Sequence, residues 1–144
     1  MWRMILLTIL LLGCSETLNT QPHKENGGSW DGGVGVKDYS WRFISSTELV
    51  DNKKVYAYEI TLAYNITFEN QSNTTKQVRY ELALVDKNGF LIQKAEMYTS
   101  DDYPVITANS EKQISANSRM NVKSISLANT ITNMQIKASI ADIK

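Results

Sequence analysis

From Tyr56 to Phe68 every even position carries an aromatic or aliphatic side chain: Tyr56, Tyr58, Ile60, Leu62, Tyr64, Ile66 and Phe68. Between them stand Ala57, Glu59, Thr61, Ala63, Asn65 and Thr67. Successive side chains of a strand point to opposite faces, so this period of two writes one apolar face and one mostly polar face. Aromatic and β-branched residues favour a strand over a helix here. A strand this long needs partners along its whole length and a second layer against its apolar face. The rest of the chain has to supply both.

It does so in the same idiom. Val78, Tyr80, Leu82 and Leu84 share one parity, and Asp86-Lys87-Asn88-Gly89 then gives a strong hairpin signal, with a returning strand expected over Phe90 to Tyr98. Glu69 to Thr75 is polar and reads as a loop. A first strand is expected from Tyr39 to Leu49, with Trp41, Phe43 and Ser45 on one parity. Later strands are expected over Lys112 to Ser115 and Arg119 to Leu127, across a turn at Ala116-Asn117-Ser118. The last, Asn133 to Ile143, places Met134, Ile136, Ala138 and Ile140 on one face. Tyr103-Pro104 argues for a loop or an edge between Thr99 and Ile106. With about seven strands, no amphipathic helix and no βα alternation, the chain is expected to be all-β. The architecture is an antiparallel two-sheet sandwich, immunoglobulin-like and Greek-key, over residues 38–144, with a small β-barrel as the structural alternative. The single cysteine permits no internal disulfide, so the core alone must hold it.

The cysteine stands elsewhere. Met1-Trp2-Arg3 carries one positive charge, Met4 to Leu12 is apolar except for Thr8, and Leu11-Leu12-Gly13-Cys14 follows. Nine residues of helix would rise only about 14 Å, under half a bilayer core, whereas a secretory signal needs an apolar segment of this length. The tetrapeptide resembles the lipobox of bacterial lipoproteins. That resemblance implies a signal peptide over residues 1–13, cleavage before Cys14, and diacylglyceryl and acyl chains on Cys14. Leu11 and Gly13 fit the family pattern, while Leu12 replaces the usual Ala or Ser. The implied localisation is the cell envelope. Ser15, where the enterobacterial-type sorting rule has Asp for inner-membrane retention, favours the outer membrane; a source with one membrane would carry the protein on its outer face.

Residues 14–37 read as a flexible tether, because Gly27, Gly28, Gly32, Gly33 and Gly35 crowd together without hydrophobic periodicity. His23 reads as a solvated linker residue, since a lone histidine makes no metal site. The glycines do not read as a phosphate loop, because no Gly-Lys-Ser/Thr follows them.

Leu82-Ala83-Leu84-Val85-Asp86-Lys87-Asn88-Gly89 resembles the hairpin of FxLYD-type bacterial envelope domains. Leu84, Asp86 and Gly89 match that pattern, whereas Leu82 replaces Phe and Val85 replaces Tyr. The resemblance implies the same sandwich and brings no catalytic residues.

The chemistry-bearing residues are few. With 15 basic and 15 acidic side chains there is no basic stripe for nucleic acid. The only histidine lies in the expected tether and the only cysteine at the expected anchor, so no nucleophile–base set is in prospect. Asp101 and Asp102 read as a solvated pair, and no calcium-loop spacing is present. Asn65, Asn70 and Asn73 each begin an Asn-x-Ser/Thr triplet, which strand ends rich in Asn and Thr explain. The expectation is a non-enzymatic module without cofactor or metal, joined to the membrane by its lipid and binding an envelope protein or glycan. Tyr98, Tyr103 and Pro104 form the expected exposed partner-binding loop. An accessory subunit of an envelope or secretion machine is the alternative.

Overall fold

The computed structural model describes residues 16–28, 30–95 and 103–142. Among these the strands are β1 (His23–Asn26), β2 (Trp30–Asp31), β3 (Val34–Asp51), β4 (Lys54–Asn70), β5 (Lys76–Asp86), β6 (Leu91–Lys94), β7 (Val105–Ile106), β8 (Ser110–Val122) and β9 (Ile131–Asp142). A short helix, α1 (Ile125–Asn129), joins β8 to β9. All pairings are antiparallel. One sheet runs β1–β3–β4–β8, with β2 also on β3; in the other, β5 carries β9 along one edge and β6 and β7 along the other. The chain crosses between sheets after β4 and again around β8, so that β4 neighbours β8 and β5 neighbours β9. These are the B–E and C–F neighbours of an immunoglobulin-type Greek-key sandwich.

The long strand is where the alternation puts it. Ile60, Leu62, Tyr64, Ile66 and Phe68 are buried on β4, facing Val78, Tyr80, Leu82 and Leu84 of β5 and Met134 and Ile136 of β9. Trp41 and Phe43 of β3 and Met120 and Val122 of β8 complete the layer. Tyr64 and Tyr80, one from each sheet, join hydroxyl to hydroxyl at 3.0 Å inside it. That contact satisfies two polar groups whose burial would otherwise be costly. At its start the alternation fails. Tyr56 is 61% exposed and Tyr58 only half-buried, because β8 pairs β4 no further than Tyr58. The β3–β4 hairpin runs on beyond the second strand's support, and a bulge at Tyr56 re-aims its side chain. A second bulge at Ile44 turns Ser45, expected inward, to solvent.

Two further expectations are corrected. Ala116-Asn117-Ser118 makes no turn: β8 is one strand that pairs β4 from Ser110 to Val122, with Ser118 buried and Asn117 exposed. Leu127 belongs to α1, whose Ser124 cap accepts from the Leu127 amide at 3.1 Å. The hairpin expected at Asp86-Lys87-Asn88-Gly89 is present between β5 and β6, with Gly89 left-handed (φ 81°); Gly89 N donates to Asp86 O at 3.0 Å, and Asp86 Oδ1 accepts from Asn88 N and Phe90 N.

The largest correction concerns residues 14–37. Over the described part the chain is built into the sheet from His23 onward, not left flexible. β1 pairs residues 38–41 of β3, and β2 pairs Val34 and Gly35. Gly32 and Gly33, both at positive φ, make the two-residue turn between β2 and β3. A Cβ on Gly28 would lie 2.6 Å from Val36 Cβ, so that glycine permits close approach. The glycine-rich composition marks tight turns. The folded unit therefore starts well before residue 38.

Candidate functional site

The two ends of the sandwich differ in chemistry. At the end where β4 finishes and β5 begins, loop 71–75 meets loop 107–109, and one side chain organises both. Asn70 is 1% exposed. Its Nδ2 donates to the carbonyls of Thr74 (2.9 Å), Ile106 (3.0 Å) and Thr107 (3.2 Å). Its Oδ1 accepts from Ser72 N (2.9 Å) and Ser72 Oγ (2.6 Å). Asn109 N donates to Ser72 O at 3.1 Å, and Gln71 N to Gly33 O at 2.8 Å, tying in the β2–β3 turn. Thr107 Oγ1 and Ser110 Oγ lie 2.7 Å apart. Asn109 is held at φ 53°, a region Asn tolerates better than most residues.

These contacts leave Gln71, Asn73, Thr74, Thr75, Thr107 and Asn109 exposed on a fixed platform. Beside it opens a hollow of about 290 Å³ lined by Glu69, Asn70, Gln71, Asn109, Ser110 and Glu111. Glu69 and Glu111 are cross-strand neighbours on β4 and β8, and Lys37 Nζ reaches Glu111 Oε1 at 2.6 Å. The hydrogen bond to Glu111, with its charge, holds the Lys37 ammonium above its ordinary pKa of 10.5. Carboxylates, amides and hydroxyls thus converge on an open, solvent-facing surface. Such a surface exchanges hydrogen bonds with a polyhydroxylated or peptide ligand.

At the other end the start of the described chain is fastened down. Asn129, the last residue of α1, accepts from Asn19 N at 2.8 Å and donates from Nδ2 to Thr17 O at 2.9 Å. One carboxamide thereby mimics a strand partner for residues 17–19, and Leu18 packs against the core between those bonds.

Among the described residues, those singled out in the sequence do not come together at one site. Cys14, the leader, Tyr98, Asp101 and Asp102 lie outside the described residues. Tyr103 is half-buried, its ring 6.0 Å from that of Tyr80, and Pro104 is buried with its carbonyl accepting from Val78 N at 2.9 Å. The described part of the expected exposed loop is therefore an interior seam that closes the edge of β5. His23 is no solvated linker residue: its ring stacks on Trp41 at 4.1 Å and 7°. Of the three Asn-x-Ser/Thr asparagines, Asn65 and Asn73 are exposed, with Asn65 held between Ser40 and Ser115, whereas Asn70 is sealed inside its network.

Among the described residues no three His, Cys, Asp or Glu side chains come together as metal ligands, and no helix is long and apolar enough to cross a membrane. The platform escaped sequence reasoning because its parts lie about 35 residues apart and only the β4–β8 register unites them. The buried Asn70, read as part of an ordinary polar loop, was the one available signal. Comparisons with family models, with curated proteins and with solved structures find no match.

Proposed function

We propose that this protein is a bacterial lipoprotein, held in the cell envelope by acyl chains on Cys14, whose sandwich recognises another envelope component without catalysing a reaction. The observation that carries the recognition part is the amide and hydroxyl platform around Asn70, with its Glu69–Glu111 hollow. Loops fixed by internal hydrogen bonds lose little freedom on binding, and such preorganisation favours recognition. Their Asn, Ser and Thr composition suits a polar partner, a glycan or a polar protein surface. The anchor part rests on the lipobox resemblance at Leu11-Leu12-Gly13-Cys14 and on the fastening of residues 17–19, which leaves little chain between Cys14 and the fold. Ser15 favours the outer membrane in a two-membrane source.

A photoreactive residue placed at Asn73 or Asn109 tests the recognition reading in living cells. The expected result is a discrete adduct at these positions and none at Asn117, mid-way along β8. Equal labelling at all three overturns it.

One observation favours the alternative of an assembly subunit. Beyond Trp41 the outer edge of β3 carries no partner strand among the described residues, ten residues of open edge from Arg42 to Asp51. An extended segment of another chain can add there by main-chain hydrogen bonds. A stoichiometric partner retained in detergent, and released by Ser46→Pro, would support that role.

A further inference from the structure

The hydrophobic side chains that stay outside the core are unevenly placed. Val50 (56% exposed), Val55 (43%) and Tyr56 (61%) sit on the β3–β4 hairpin, and Phe90 (69%) and Leu91 (54%) on the β5–β6 turn. Ile44 lies lower on β3, and only Val105 belongs to the platform end. The β3–β4 hairpin and the β5–β6 turn rise at the same end. β8 meets β4 at Tyr58, β9 meets β5 at Asp86, and α1 links β8 to β9 between them. Gln93 Nε2 donates to Asn121 O at 2.8 Å, which holds β6 against the end of β8. Asn129, where residues 17–19 are fastened, is at this end too.

The lysines follow the tips. Lys53 lies in the β3–β4 turn with Lys54 directly after it, Lys87 lies in the β5–β6 turn and Lys123 follows β8, all exposed. Glu48, Asp51 and Asp86 balance most of this charge, so the end is not a polybasic patch. Apolar and tyrosine tips with lysines at their shoulders are the pattern of a surface that enters a bilayer interface, where aromatic rings and snorkelling lysines are at home. The hairpin projects four residues of β4 beyond Tyr58, about 13 Å at 3.3 Å per residue, enough to cross a headgroup layer.

Chain length selects the occupant. From Cys14 to Thr17 are three residues, which span at most about 11 Å. An acylated Cys14 therefore brings the Asn129 end, and no other part of the sandwich, down to the lipid.

We propose that the β3–β4 hairpin and the β5–β6 turn insert Val50, Val55, Tyr56, Phe90 and Leu91 into the lipid interface beside the anchor, holding the sandwich upright on the membrane. This rests on the lipoprotein reading and adds an orientation to it. Acyl chains alone would let the domain pivot; a second contact fixes it, and the Asn70 platform then faces away from the bilayer.

The experiment uses the chain purified from membranes in detergent and reconstituted into phosphatidylethanolamine–phosphatidylglycerol vesicles. An environment-sensitive fluorophore is attached in turn to Tyr56→Cys, Phe90→Cys and Asn73→Cys, and nitroxide-bearing lipids serve as quenchers. All three sites are exposed, so the fold tolerates the changes, and an acylated Cys14 thiol takes no label. The expected result is quenching several-fold stronger at 56 and 90 than at 73, persisting in high salt. Intact mass of the same preparation reads the anchor separately. An acylated chain with all three positions equally unquenched overturns the insertion and leaves the anchor standing. A chain without acyl mass whose tips are still quenched overturns the anchor and supports the insertion. A chain with neither overturns both, and a protein crosslinked at 56 or 90 with the labels unquenched overturns the insertion in favour of a protein interface.

Discussion

Replacing Asn70 by alanine is the most direct assault on the platform. The carboxamide satisfies three backbone carbonyls and accepts two bonds from Ser72, all within loops that carry no regular structure of their own. Alanine removes every one of these and leaves the buried Ile106 carbonyl without its partner. An intramolecular hydrogen bond contributes about 1 kcal/mol net, and a stranded buried polar group costs about 1–3 kcal/mol. Water reaches the more exposed ends, at Ser72 and Thr74, so the sum is about 3–4 kcal/mol, a large share of the roughly 5–15 kcal/mol typical of a domain. At a urea slope of about 1.5 kcal/mol/M the unfolding midpoint falls by about 2 M with unchanged slope.

Asn73→Ala, three residues on and exposed, shifts it by no more than about 0.5 kcal/mol. Asn70→Asp separates the two halves of the network. The carboxylate still accepts from Ser72 but turns negative oxygen toward three carbonyls. Its folded pKa must then rise above the unfolded value, so stability lost at neutral pH returns in part as pH falls and one O–H donor is restored. An Asn70→Ala shift under about 1 kcal/mol at constant slope would refute the claim that this side chain organises both loops.

Three further changes probe other parts of the fold. Lys53 occupies the left-handed region (φ 63°) in the β3–β4 turn after Asn52 (φ 49°), so Lys53→Gly gives the preferred Asn-Gly pair and raises stability by roughly 0.5–1 kcal/mol, read as a higher urea midpoint. Asn129→Ala frees residues 17–19, and hydrogen exchange at the Asn19 amide accelerates while the amides of β4 keep their protection. Burial first, and then the Glu25 carboxylate, raise the Tyr39 phenol above its ordinary pKa of 10.0, against the hydrogen bond to Asn133. The unfolded chain then ionises before the native one. The contribution of Tyr39 is whole below pH 10 and lost as pH climbs past it, so Tyr39→Phe loses less stability than wild type between about pH 8 and about pH 11.

What the sequence displayed and what it hid divide along a physical line. β4, β5 and β9 are legible because one face of each is pressed on the core, and burial enforces the period of two. Where support comes from hydrogen bonding instead, the pattern goes silent. β1 contains no aliphatic residue and β2 only Trp30 and Asp31, so neither shows an alternation, and both exist because β3 is long enough to pair with them. Ala116-Asn117-Ser118 looks like a turn, yet β4 offers it an unbroken ladder and the chain stays extended. The buried Pro104 misleads for the converse reason: a proline in a polar stretch suggests surface, but here its carbonyl completes the edge of β5. Of the site, single residues could be seen, whereas the meeting of loops 71–75 and 107–109 is a property of register and lies in no local window.

The length of β4 has a consequence for where a partner can be sought. Seventeen residues at about 3.3 Å each measure roughly 55 Å, and twist shortens this only modestly. Under the proposed anchoring and insertion, a rod of that size stands on its Asn129 end as a spacer. In that arrangement it would carry the Asn70 loops to a set altitude of about 40–50 Å and keep them out of reach of anything lying flat on the same leaflet. On that proposal ligands confined to the headgroup plane are excluded, and the candidates narrow to structures that span the space above the membrane.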